Sequence, residues 1–95
     1  MVISDNNKKF LDDLVQYYIN ESESYKQFAN EYKEFSKSEM DVAFGLIIGS
    51  IYSTFLQTYS NQQLEVGLDD IQEFHEFIKS NAEQIRESLE KNQDS

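Results

Sequence analysis

The hydrophobic pattern singles out one segment, Met40 to Leu56, which reads MDVAFGLIIGSIYSTFL and is apolar nearly all the way around a helix. A helix that is hydrophobic all round has to be covered on most of its sides, by protein or by lipid. The segment therefore predicts an apolar central helix over about 38–60. Ser38 and Asp41 have the spacing of a capping box, which starts a helix at this point.

The residues of this central helix predict two unlike faces. On a helical wheel Phe44, Ile48, Ile51 and Phe55 centre the apolar face. The opposite side is small and weakly polar. Its residues are Ala43, Leu46, Ser50, Ser53, Thr54 and Gln57.

The segments on either side are amphipathic, with apolar residues three and four positions apart. The first spans about 6–37, and the polar run at 20–24 predicts a kink or a short break, with Ser24 and Gln27 as a capping box. The last helix is expected to begin at Asp69 as its N-cap, after a loop in which Gly67 supplies a turn conformation. A separate final helix could start at Ser80.

These elements predict an all-α fold, a small bundle of three to four helices. The chain has no proline and only three glycines in 95 residues, so few helix breakers interrupt it. Its length predicts one domain over 1–95. The ends are expected to fray at about 1–5 and 92–95.

The charge of the chain limits the classes of partner that it can bind. The net charge is −10, and residues 64–95 hold nine acidic and three basic residues. Such a surface repels phosphates and anionic membranes, so direct nucleic-acid binding is not expected and a basic protein partner is compatible. The chain has no cysteine, which excludes disulfides and thiolate chemistry and fits a cytoplasmic location.

Two sets of residues predict an interface. Small residues four positions apart, at Gly45, Gly49 and Ser53, allow another helix to approach closely. The aromatic stripe of the first segment suits an interface because a tyrosine ring can be buried while its hydroxyl stays in water. Its candidate members are Tyr18, Tyr25, Phe28 and Tyr32. Since a short chain leaves spare apolar surface, the sequence predicts a homo-oligomer, with a dimer favoured.

The sequence gives little support for a catalytic or metal-binding site. His75 is the only histidine and lacks a second ligand at metal-binding spacing, and Glu21, on the apolar stripe, is expected to mark the helix break and face solvent. No phosphate-binding loop or nucleophile–base set can be specified. We therefore expect no enzyme activity, no cofactor and no metal.

The leading hypothesis is a small acidic helical protein-interaction module that associates with itself. One alternative is an acidic inhibitor or nucleic-acid mimic, whose carboxylates at 65–94 occupy a basic groove on a partner protein. A second alternative is a membrane-associated helical protein, because residues 42–60 carry no charge. The second half of that segment is polar and neither end has a nearby lysine or arginine, so a membrane span is not favoured.

Overall fold

A computed structural model of the chain describes residues 2–91 and confirms the predicted all-α bundle. In this part of the chain four α-helices are present, with one 3-10 turn at Lys33–Phe35. The frayed tail predicted at 92–95 lies outside the described residues. The helices are α1 (Asp5–Asn20), α2 (Ser22–Asn30), α3 (Glu39–Asn61) and α4 (Leu68–Lys91).

The helices form a bundle of three rods, of which the first is broken into α1 and α2. The start of α1 contacts the end of α3, where the side-chain amides of Asn7 and Gln62 donate hydrogen bonds to each other at 3.0 Å. The start of α3 contacts the end of α4, where Arg86 Nη1 lies 3.2 Å from Asp41 Oδ1. Both α1 and α4 therefore run antiparallel to α3.

The predicted break in the first rod is confirmed. It lies at Glu21, an exposed residue between α1 and α2 with φ −99° and ψ 14°. The predicted capping box at Ser24 is wrong, because α2 begins two residues earlier. Ser22 is buried and its hydroxyl donates to the Ser88 carbonyl of α4 at 3.3 Å, so packing against α4 fixes where α2 starts.

The two long helices begin differently. Ser38 caps α3 as predicted, since its hydroxyl accepts the Asp41 N–H at 3.1 Å. The predicted N-cap Asp69 is wrong, because α4 already begins at Leu68. The Asp70 carboxylate reaches back to accept the Gly67 N–H at 2.9 Å, as the third residue of a capping box does.

The loop after α3 places its unusual backbone conformation at Gln63, which has φ 59°. The N–H of Gln63 donates to the Ser60 carbonyl at 3.0 Å and that of Leu64 to the Tyr59 carbonyl at 2.9 Å. This pair of hydrogen bonds is a Schellman motif, which ends a helix through one left-handed residue. Gly67 has no positive φ, so its predicted role in a special turn is wrong.

α4 runs through residues 80–81 without interruption. The side chains of Ser80 and Asn81 donate to the Phe77 carbonyl at 2.7 and 2.9 Å, so both polar groups are satisfied inside the helix. A separate final helix starting at Ser80 is therefore wrong.

The core lies along one face of α3. Its buried stripe is offset from the predicted one, since Phe44 and Ile48 are half-buried while Ala43, expected on the weakly polar side, is fully buried. The stripe follows a spacing of four because α1, α2 and α4 all pack against this one side. Its members are Ala43, Ile47, Ile51, Phe55 and Tyr59.

The residues before α1 are docked, in contrast to the fraying expected at about 1–5. Ile3 is buried at 2% exposure, and the N–H groups of Val2 and Ile3 donate to the Glu73 carboxylate at 2.8 and 3.0 Å. Ser4 caps α1 by accepting the Asn7 N–H at 3.2 Å. The burial of Ile3 and the hydrogen bonds to the Glu73 carboxylate therefore order residues 2–5.

Candidate interaction surface

The outer face of α3 is not covered by any other part of residues 2–91. Only 22% of the residues in its most apolar stretch are buried. The three small residues of the predicted interface, Gly45, Gly49 and Ser53, are all exposed. Within the described residues α3 is therefore covered on one side only, although it is the most apolar helix of the bundle.

The small residues line an open groove of about 450 Å³, which we call the small-residue groove. A Cβ atom added at Gly45 or at Gly49 would have nothing within 4 Å outside its own helix backbone. These glycines therefore do not serve a tight helix crossing inside the chain. The groove is lined by Gly45, Leu46, Gly49, Ser50, Ser53 and Thr54 of α3 and by Tyr18 of α1.

The α3 wall of the groove is uncharged. Residues 42–60 carry no charged side chain. The Thr54 hydroxyl donates to the Ser50 carbonyl at 2.9 Å, and the Thr58 hydroxyl donates to the Thr54 carbonyl at the same distance. Because the Thr54 hydroxyl hydrogen is used within the helix, a second protein surface can cover that side chain without leaving its donor unsatisfied.

An aromatic ridge borders the groove, formed by Tyr17, Tyr18, Tyr25, Phe28 and Tyr32. The Tyr18 ring lies 5.1 Å from that of Tyr17 and 5.4 Å from that of Tyr25. Burial, followed by the neighbouring Tyr18, raises the pKa of the Tyr25 phenol above its usual value of 10.0, so it stays neutral at physiological pH. Tyr25 therefore presents a neutral ring close to the uncharged α3 face of the groove.

The ridge continues along α2. Phe28 follows Tyr25 by three residues, on neighbouring turns of one helix, and its ring lies 5.3 Å from that of Tyr32. Phe28 and Tyr32 are 50% and 49% exposed, and Phe35 in the 3-10 turn is 81% exposed. Aromatic side chains are rarely left this open over a continuous surface in a monomer.

The structure thus brings part of the predicted interface together. Tyr18 lies in one groove with Gly45, Gly49 and Ser53, and Tyr25 joins that groove through its ring contact with Tyr18. The other pair, Phe28 and Tyr32, forms the far end of the ridge and does not line the groove. Leu46, Ser50 and Thr54 also line the groove. The sequence places them on the small, weakly polar side of the central helix but does not single them out for the interface, because a helical wheel shows a face and not where the chain leaves it open.

Other positions offer less chemistry. His75 is exposed, and its ring stacks on that of Tyr52 with centroids 6.2 Å apart and an interplanar angle of 17°. Among residues 2–91 no three histidine, aspartate or glutamate side chains are grouped so that they could hold a metal ion. In the same part of the chain one helix, Glu39–Asn61, is long and apolar enough to cross a membrane by length and composition.

Comparison with protein-family models, with curated proteins and with solved structures finds no match to this chain.

Proposed function

We propose that this protein is a small acidic helical interaction module that associates with itself, with a homodimer favoured, through the outer face of α3. The observation that carries the proposal is the pair Gly45 and Gly49. Each glycine in a helix interior costs about 1 kcal/mol relative to alanine. Neither is needed to fit another part of the chain, since a Cβ there would meet open space. A second helix approaching this face supplies a reason for both.

The charge distribution supports a second copy as the occupant. Two chains of net charge −10 repel each other over most of their surfaces. The face of α3 between residues 42 and 60 is charge-free, so two copies can meet there without opposing carboxylates. The nearest acid at its N-terminal end, Asp41, is already paired with Arg86 at 3.2 Å.

The shape of the surface supports the same arrangement. A two-fold interface uses one patch twice, so the patch has to be complementary to itself. The aromatic ridge stands beside the small-residue groove, and Tyr18 belongs to both. In a two-fold dimer the ridge of each copy fills the groove of the other, which buries the exposed aromatic rings.

The test is the solution mass of the untagged protein, measured by light scattering over a hundredfold dilution without detergent. We expect twice the 11.2 kDa chain mass at the high end. The variant Gly49→Gln, which adds bulk where the folded chain leaves room, is expected to be a monomer throughout. The matched control Ser24→Gln, at an exposed position of α2, is expected to behave as wild type. A wild-type monomer at every concentration, or a dimeric Gly49→Gln, would overturn the proposal.

The acidic-mimic alternative draws on the exposed acids of α4. Asp69, Glu76, Glu83 and Glu90 are exposed and follow one another every seven residues, about 10.5 Å apart along the axis. Two other acids of this helix are used within the fold, Asp70 by Tyr59 and Glu73 by the segment before α1. Capture of a basic protein that weakens strongly between low and high salt would support this function.

The membrane alternative draws on the same open face of α3. An 18-residue stretch of α3 has a mean hydropathy of 1.3, and 22% of its residues are buried, so most of this apolar stretch is open to its surroundings. Its inner stripe, however, packs against helices that carry many charges, and insertion would have to break that packing. Partition into a detergent phase would support a membrane role, and full recovery in the aqueous phase would count against it.

A further inference from the structure

Glu73 holds the chain at its first described residues. Its Oε2 accepts the N–H groups of Val2 at 2.8 Å and of Ile3 at 3.0 Å, and Lys8 Nζ lies 3.6 Å from its Oε1. The Glu73 side chain is only 14% exposed. The nearby Ile3 side chain is buried, so the backbone cannot drift away from this carboxylate without exposing a core residue.

The surroundings of Glu73 carry an excess of negative charge. The cleft beside it contains three carboxylates, those of Asp69, Glu73 and Glu76, and one ammonium group, that of Lys8. A peptide nitrogen at Val2 donates a hydrogen bond but brings no positive charge. The pKa of Glu73 is held below its usual value of 4.5, first by the Ile3 amide and also by the Val2 amide and Lys8, so the carboxylate is ionised at physiological pH.

We propose that Glu73 is the receptor for a free amino terminus at Val2. Hydrolysis of the Met1–Val2 peptide bond adds water across it. The segment ending at Met1 leaves as a carboxylate, and the Val2 nitrogen takes the remaining hydrogen and then a proton, which makes it an α-ammonium group. This ammonium lies where the amide nitrogen already lies, 2.8 Å from Glu73 Oε2. The neutral hydrogen bond becomes an ion pair, and such charge-assisted bonds are roughly twice as strong as neutral ones.

The site separates a free amine at Val2 from two uncharged states of the same nitrogen. A Val2 still joined to Met1 and an acetylated Val2 both keep one N–H but carry no charge. Only the free amine neutralises part of the acidic cleft. Processing at Val2 therefore controls how tightly residues 2–4, and with them the start of α1, are held on α4. Val2 and Glu73 do not line the small-residue groove, so this role of Glu73 is independent of self-association.

The test compares three chain forms that share residues 2–95: free Val2, acetylated Val2, and Val2 preceded by Met1. In the free form the α-amino pKa, measured by NMR titration, is expected at least one unit above the ordinary value of about 7.7–8.0. The midpoint of thermal unfolding at neutral pH is expected to be at least about 4 °C higher than in the acetylated form, a range typical of one good interaction in a domain of this size.

Two variants of the free form complete the test. Glu73→Gln is expected to return the α-amino pKa to its ordinary range. Glu76→Gln removes the same charge from the same cleft but leaves the Val2 contact, and most of the pKa rise is expected to remain. An ordinary α-amino pKa in the free wild-type form, or equal unfolding midpoints for the free and acetylated forms, would overturn the proposal even if Glu73→Gln fails to fold.

Discussion

The two faces of α3 share one backbone but differ in how closely they are packed. On the inner face Phe55 is 2% exposed and its ring lies 4.8 Å from that of Phe74 in α4. On the outer face Gly45 and Gly49 are exposed, with open space where a side chain would begin. The inner stripe is built mostly from large apolar side chains, and the outer face mostly from glycine, serine and threonine. The two faces therefore differ in side-chain size as well as in polarity.

Substitution of the inner face is expected to give the largest effect. Phe55→Ala removes a buried ring that contacts Phe74 and Tyr59, and truncation of a buried phenylalanine costs about 3–5 kcal/mol. Small domains have only about 5–15 kcal/mol of stability in total, so much of it would be lost. Urea denaturation measures the change in the free energy of unfolding. The outer-face control Ser53→Ala is expected to change it by less than about 0.5 kcal/mol. Equal costs at the two positions would remove the distinction between the faces.

A polar contact lies at the C-terminal end of the inner face. Its loss is expected to lower the free energy of unfolding by less than Phe55→Ala does. The Tyr59 hydroxyl donates to Asp70 Oδ1 at 3.1 Å, and both residues are buried. Tyr59→Phe leaves that carboxylate oxygen without its donor, which costs about 1–3 kcal/mol. Urea denaturation near neutral pH measures the loss. A cost below about 0.5 kcal/mol would mean that the Asp70 carboxylate does not depend on this hydroxyl.

The same hydroxyl makes the free energy of unfolding depend on pH in alkaline solution. Burial, and then the hydrogen bond to Asp70, raises the pKa of Tyr59 from 10.0 to about 12. Because the folded pKa is the higher one, the stabilisation is complete below pH 10 and is lost as the pH rises towards 12. Unfolding free energies measured between pH 9 and 12 should fall less steeply in Tyr59→Phe. Some slope remains, since the pKa of Tyr25 is raised too. Identical slopes in the two proteins would contradict this assignment.

The sequence predicts the elements of this fold better than it predicts their partners. Local signals located the cap at Ser38 and the break near Glu21, because capping groups and polar runs act within one helical turn. The start of α4 was missed, since it depends on Asp70 bonding at once to Gly67 and to Tyr59 of another helix. Contacts that join distant parts of the chain leave no periodic signal.

The predicted interface likewise has a part that depends on local sequence and a part that depends on how the helices pack. The spacing of Gly45, Gly49 and Ser53 identifies a face on which small residues meet, and this is a local property. Whether that face lies against another helix of the chain or against open space depends on how α1, α2 and α4 arrange themselves. Glu73 is the clearest omission, because one acid among the many of α4 has no feature in the sequence that separates it from its neighbours.

Substitutions on the outer face are expected to change stability least. They also distinguish folding of the single chain from its association into a dimer most clearly. Gly45→Ala and Gly49→Ala each add a methyl group that meets nothing within 4 Å outside the helix backbone, so each should stabilise the isolated chain by about 1 kcal/mol through helix propensity. The same methyl groups lie where a partner helix would approach, so the dimer of each variant should dissociate at a higher protein concentration than the wild-type dimer does. Urea denaturation at the lowest workable concentration measures the first effect, and light scattering measures the second. Since a methyl group in open space cannot destabilise the monomer, a loss of stability in dilute solution would mean that the chain itself covers these glycines, and the difference between the two faces would disappear.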